Sequence, residues 1–267
     1  MKIGVFDSGL GGLSILKEML RQLPEYDYIY LGDNARVPYG GRSEKIIYQF
    51  TQNAVDFLFK KNCQLIILAC NTATATSLKK LQQEYLPKNF PDRRVLGIIK
   101  PAVEFLQESK FYRVGVIGTY ATIESQAFLR EIKKILPKTK VFQQACPLLV
   151  PIIEEGEINW IGLKLILKKY LEPLKKQKID SLILGCTHYS LIKKQIRAVI
   201  SSKIKIICEA EQAALKLRKY LQNHSELEKK LSKKASREFY VTDLNKRYQK
   251  MANWFLGEKI DLNLVTL

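Results

Sequence analysis

The chain has 267 residues, 46% of them hydrophobic and 26% charged, a balance that suits a folded protein of two domains and excludes a disordered or collagen-like one. No apolar run reaches the ~20 residues that cross a bilayer, and Met1-Lys2 leads into a strand-like run rather than a leader peptide, so the cytoplasm is the expected compartment and no membrane partner is expected. The net charge of +18 lies in scattered pairs such as Lys60-Lys61, Lys168-Lys169 and Lys229-Lys230, which read as solvated helix faces; without a basic block or an aromatic-interleaved motif, nucleic acid is not an expected partner.

In chain order, short β-branched runs predict strands at Ile3–Phe6, Tyr28–Leu31, Leu65–Leu68, Val95–Ile99, Arg113–Ile117, Ser181–Leu184 and Ile204–Ile207. Helical spacing links Leu13, Leu16, Leu20 and Leu23, then Ile46, Ile47, Phe50, Ala54, Phe57 and Leu58. Two more helices are expected at Gln212–Gln222 and Leu244–Leu256. Strands buried on both faces and alternating with helices predict the α/β class with mostly parallel sheets. In such sheets ligands gather beyond the carboxyl ends of the strands. Polar turns stand at those ends: Asp7-Ser8-Gly9, Gly32-Asp33-Asn34 and Gly118-Thr119.

An approximate repeat runs through the chain. IGVFDSG (Ile3–Gly9) and LIILACNTATATSL (Leu65–Leu78) return as VGVIGTYAT (Val114–Thr122) and LILGCTHYSLI (Leu182–Ile192). Gly4 to Cys70 spans 66 positions and Gly115 to Cys186 spans 71. Two unrelated α/β units would share part of this likeness. Taken as a repeat, it predicts two similar domains facing each other, each presenting one thiol to the cleft. A switch near Pro101 and a return near Cys208-Glu209 divide the chain into residues 1–99 with 209–267, and residues 100–208.

The cysteines are Cys63, Cys70, Cys146, Cys186 and Cys208. An odd number without a CxxC pair argues against a disulfide framework, and His188 lies far from His224, so no zinc site is expected. Cys70 and Cys186 each stand just past a strand and at a helix start, where the helix dipole favours thiolate. Asn71 or Thr72 is expected to cap the first of these helices. Inert core cysteines are the alternative, and Cys63 and Cys146 are read that way. Asp7 and His188 are placed to orient or activate a thiol; Asp7 is also placed to cap the helix that begins near Gly12. The glycine-rich segments Asp7–Gly12 and Gly32–Ser43 fit neither GxxxxGK(S/T) nor GxGxxG, so no nucleotide phosphate site is expected. With Asn71, Thr72 and Thr187 they read as a cradle for an amino acid.

FDSGLGGLS (Phe6–Ser14), LGDNARVPYG (Leu31–Gly40), ACNTATA (Ala69–Ala75) and GCTH (Gly185–His188) together resemble the signature segments of the glutamate racemases, within the aspartate/glutamate racemase superfamily. The resemblance implies two facing, pseudo-symmetric α/β domains with the active site in the cleft between them. It implies interconversion of L- and D-glutamate without a cofactor, D-glutamate being a precursor of peptidoglycan, in an enzyme that is commonly a homodimer. Cys70 and Cys186 would be the two catalytic thiols, assisted by Asp7, His188 and Glu154. Substrate contacts would come from Asp7, Ser8, Pro38, Tyr39, Gly40, Asn71, Thr72, Thr187 and His188. One departure is visible: Cys208-Glu209-Ala210 stands where the family often has Asp-Ser-Ala. The chemistry explains the pair of thiols. One side chain reaches one face of the α-carbon, so inversion needs an acid and a base on opposite sides. Aspartate is the nearest rival substrate; a thiol-redox enzyme fits less well, since no CxxC is present.

Overall fold

The structure, a computed structural model, describes residues 1–109 and 111–267. Strands and helices alternate from the start: β1 (Lys2–Asp7), α1 (Leu13–Gln22), β2 (Tyr28–Gly32), α2 (Glu44–Lys60), β3 (Cys63–Leu68), α3 (Asn71–Lys80), α4 (Leu86–Asn89) and β4 (Arg94–Gly97). Next come α5 (Ile99–Ser109), β5 (Arg113–Gly118), α6 (Tyr120–Glu124), α7 (Ala127–Ile135), β6 (Lys140–Ala145), α8 (Leu149–Glu154), α9 (Ile161–Lys176), β7 (Ser181–Gly185), α10 (Lys193–Val199) and β8 (Lys205–Cys208). The tail adds α11 (Glu209–Asn223), α12 (Ser225–Glu228), β9 (Arg237–Val241), α13 (Lys246–Leu256) and β10 (Leu262–Leu264).

Two sheets form, with orders β10-β9-β2-β1-β3-β4 and β6-β5-β7-β8, and their strand pairings are parallel. Without the tail strands the first sheet reads β2-β1-β3-β4, the same connectivity as the second. The repeat seen in the sequence is therefore a repeat of topology. β2, β3 and β7 are buried along their whole length because helices cover both faces, which is why they read as unbroken apolar runs. One apolar cluster includes Leu13 and Leu65 from the first sheet's side, Ile117 and Leu184 from the second, and Leu217 of α11, so the two sheets share a core. α11 packs against α1 and α5.

Several boundaries differ from expectation. β4 ends at Gly97, and Ile99 already belongs to α5; Pro101 sits in that helix's first turn, where a missing N–H leaves no bond unmade. β6, β9 and β10 lack a clear sequence signal. β6 (KVFQQA) lies at the edge of its sheet, half-buried and carrying two glutamines, and β10 is three residues long. α13 begins at Lys246 because the Asn245 side chain accepts from the Tyr248 N–H at 2.9 Å. Among the described residues, no helix is long and apolar enough to cross a membrane.

Leu184 is 1% exposed and pairs in register with Ile117 and Cys208. Leu184→Ala is expected to lower stability by about 2–5 kcal/mol through the cavity it leaves. Urea unfolding should show a lower midpoint with an unchanged slope.

Candidate active site

Past β3 the chain turns sharply, with the Ala69 and Cys70 N–H groups both donating to the Phe6 carbonyl, at 2.8 and 3.3 Å. Cys70 thereby becomes the N-cap of α3, and its sulfur accepts from the Ala73 N–H at 3.4 Å. The expected capping by Asn71 or Thr72 is replaced by capping through the thiol, because these two residues lie inside the helix. The Cys70 thiol donates to Ser8 Oγ at 3.3 Å. Burial first, and the nearby Asp7 charge second, push this thiol up to about 12, against its hydrogen bonds with Ser8 and Ala73. The expected thiolate at the helix end is therefore corrected: desolvation outweighs the dipole.

Asp7 is 1% exposed; its Oδ2 accepts from the Gly9 N–H at 3.1 Å while Oδ1 has no partner. Burial raises its carboxyl above the usual range, and the His188 charge opposes the rise. Asp7 does not cap α1: Gly12 holds the N-cap position and no side chain caps it.

On the other side, Cys186 follows β7, with its sulfur 3.7 Å from His188 Nδ1. His188 Nε2 lies 3.0 Å from Glu154 Oε1 at the end of α8, and the ring stands edge-on to Phe255 at 5.4 Å. Burial alone would depress this imidazole. Hydrogen bonds and charges from Cys186 and Glu154 overcome that and raise it to about 10. The ring is then protonated at neutral pH, so Nε2–H donates to Glu154 and Nδ1–H points its charge at the sulfur.

The two groups meet where the glycine turn of the first sheet faces the end of β7. A methyl group on Gly11 would overlap the Thr187 hydroxyl and the His188 ring, and one on Gly9 would lie 4.0 Å from Glu154 Oε1. Ser14 Oγ donates to the Thr187 carbonyl at 3.1 Å. A second bridge joins Gly40, whose carbonyl accepts from the Ala121 N–H at 2.9 Å, and Thr72, whose hydroxyl lies 3.0 Å from that of Thr119 and 3.3 Å from that of Thr122. The structure thus gathers Asp7, Ser8 and Cys70 on one side, and Glu154, Cys186, Thr187 and His188 on the other. Tyr39 is buried with its hydroxyl spent on Asp33, and Pro38 is exposed on the same loop. Asn71 donates from Nδ2 to Glu209 Oε2 at 2.6 Å.

Thr122 and Gly11 were assigned no individual role from the sequence; Thr119 was noted only as part of a polar turn, and Glu209 only as a departure from the family pattern. A signal for Thr119 existed: setting Gly4 on Gly115 places it where Ser8 stands in the first unit. Among the described residues, no three His, Cys, Asp or Glu side chains gather as a metal site. A thiol that holds its proton, a sulfur beside a cationic imidazole, and hydroxyls with free N–H groups at a helix start can together exchange a proton and hold a carboxylate. Glu154→Gln removes one of the two partners that raise His188. The imidazole should then titrate below about 10, and ¹⁵N ring shifts followed by NMR against pH should show the fall.

The profile of the Asp/Glu/hydantoin racemase family matches residues 3–216. A glutamate racemase from Aquifex aeolicus is 39% identical over 262 residues, covering 98% of this chain and 96% of that protein. The glutamate racemase of Francisella tularensis, solved in complex with D-glutamate, is similar with a TM-score of 0.89 at 36% identity, over 99% of this chain and 97% of that one. A glutamate racemase isoform from Bacillus anthracis gives a TM-score of 0.91 at 34% identity, over 100% and 97%. Fold, turn motifs and matched length agree, and the chain belongs to the Asp/Glu/hydantoin racemase family.

Proposed function

We propose that this enzyme interconverts L- and D-glutamate without a cofactor, passing the α-proton between Cys70 and Cys186. One observation carries the reading: the two thiols stand at equivalent places, past the third strand of each of two sheets with the same connectivity. Relatives of near-equal length named glutamate racemases support glutamate as the substrate. Cys70 starts as the thiol, consistent with its burial beside Asp7, and Cys186, whose sulfur faces His188 Nδ1, is assigned the role of base. Cys186 takes the α-proton from one face and Cys70 returns a proton to the other. The reverse direction exchanges the roles, with the Ser8 hydroxyl and Ala73 N–H steadying the charge on Cys70.

The substrate's α-carboxylate is assigned to the start of α3 and to the hydroxyls of Thr72 and Thr187. Asp7, whose Oδ1 is unpartnered, suits the ammonium group. Pro38, Tyr39 and Gly40 would act through their backbone, since the Tyr39 hydroxyl is engaged elsewhere. Residues 1–99 with 209–267, and residues 100–208, are read as the two domains that hold the cleft. A cytoplasmic homodimer supplying D-glutamate to peptidoglycan synthesis fits this activity.

In heavy water, each enantiomer should give product of the opposite hand that carries deuterium at the α-carbon, with little deuterium in recovered substrate. L-aspartate assayed alongside should turn over far more slowly. Cys70→Ala or Cys186→Ala should lower racemisation by about 10²–10⁴-fold; a tenth of wild-type activity in either variant refutes the assignment. Gly11→Ala, which displaces Thr187 and His188, should cut kcat by roughly 10²-fold while the circular dichroism spectrum is unchanged.

A further inference from the structure

Two buried side chains meet with half of their polar atoms unpaired. Glu209 opens α11 just past β8 and is 2% exposed; Asn71 opens α3 beside Cys70 and is 3% exposed. Asn71 Nδ2 donates to Glu209 Oε2 at 2.6 Å. The other oxygen of each group, Asn71 Oδ1 and Glu209 Oε1, is buried without a partner. A carboxylate offers only acceptors, so neither of these unpaired oxygens could satisfy the other. A carboxylic acid offers one O–H, and an acid and an amide set edge to edge close a ring of two hydrogen bonds.

We infer that Glu209 Oε1–H donates to Asn71 Oδ1, so that the two side chains form an acid–amide pair and Glu209 is a positioning residue for Asn71. The surroundings agree. Burial pushes the Glu209 carboxyl well above the usual range, with only the Asn71 bond opposing. Among the described residues no cation pairs with it: Lys193 pairs with Glu211, and Lys216 with Glu104 and Glu108. The dipole at the start of α11 favours an anion, but weakly against the cost of burying one. The ring decides which end of the Asn71 carboxamide is oxygen and leaves one Nδ2–H free. The serine often found at this place in the resembled family is too short to close such a ring.

The pair itself does not depend on the proposed reaction; its role in holding substrate does. Infrared spectra of the ligand-free chain in heavy water near neutral pH test the pair. A protonated-carboxyl band should be present, shift when the protein's glutamates are ¹³C-labelled, and vanish in Glu209→Gln. If Glu209→Gln removes no such band, the pair is refuted whatever the kinetics. For the positioning role, Glu209→Ala should raise KM for glutamate and lower kcat/KM by about tenfold or more. Glu209→Gln, whose amide can close the same ring, should restore kcat/KM to within about twofold and keep the wild-type pH profile. Wild-type kinetics in Glu209→Ala, or a Glu209→Gln as impaired as Glu209→Ala, overturns that role. If glutamate is not turned over at all, the proposed function fails and the infrared result still judges the pair.

Discussion

The glycine turn after β1 lies against the end of β7 with no room for a side chain at Gly11, and the backbone itself sets the separation of the two sheets there. Ser14 fastens the contact by donating to the Thr187 carbonyl, and a shared apolar core closes behind it. The charges of Asp7 and His188 consequently act on each other across the contact. The same region is buried, and desolvation becomes the largest influence on Cys70, Asp7 and His188 alike.

Two thiols at matching positions thus receive opposite surroundings. Cys70 lies near a carboxyl group and a hydroxyl; Cys186 lies beside an imidazole tied to Glu154. For a racemase this inequality has a limit. Mirror-image substrates have equal free energies in water, so kcat/KM in the two directions must match however differently the sulfurs are held. The asymmetry can redistribute kcat and KM between directions, and nothing more.

Much of this was legible in the sequence because it is local. Apolar β-branched runs marked seven strands, and a cysteine between such a run and a helix start is visible in any one-dimensional reading. Three strands were not legible: β6 and β10 are edge strands, and β9 carries charged and half-buried residues alongside its apolar ones. Within the site, the residue types were visible and their partners were not. That the Cys70 sulfur caps its own helix follows from the turn after β3. That the Tyr39 hydroxyl goes to Asp33, and Asn71 to Glu209, follows from contacts between segments far apart in the chain. The helix dipole was the wrong guide to Cys70 because sequence spacing carries no measure of desolvation.

The tail breaks the likeness between the halves. β9 pairs with β2, the Thr242 hydroxyl donates to Asp33, and the N–H groups of Thr242 and Asp243 donate to Asn34. Asp33 in turn holds Tyr39, next to Gly40. The loop leading to Gly40 is therefore anchored by residues made some two hundred positions later. On the ribosome both sulfurs emerge well before that anchor does. A nascent chain carries its reactive groups in an unfinished pocket until those later residues have emerged.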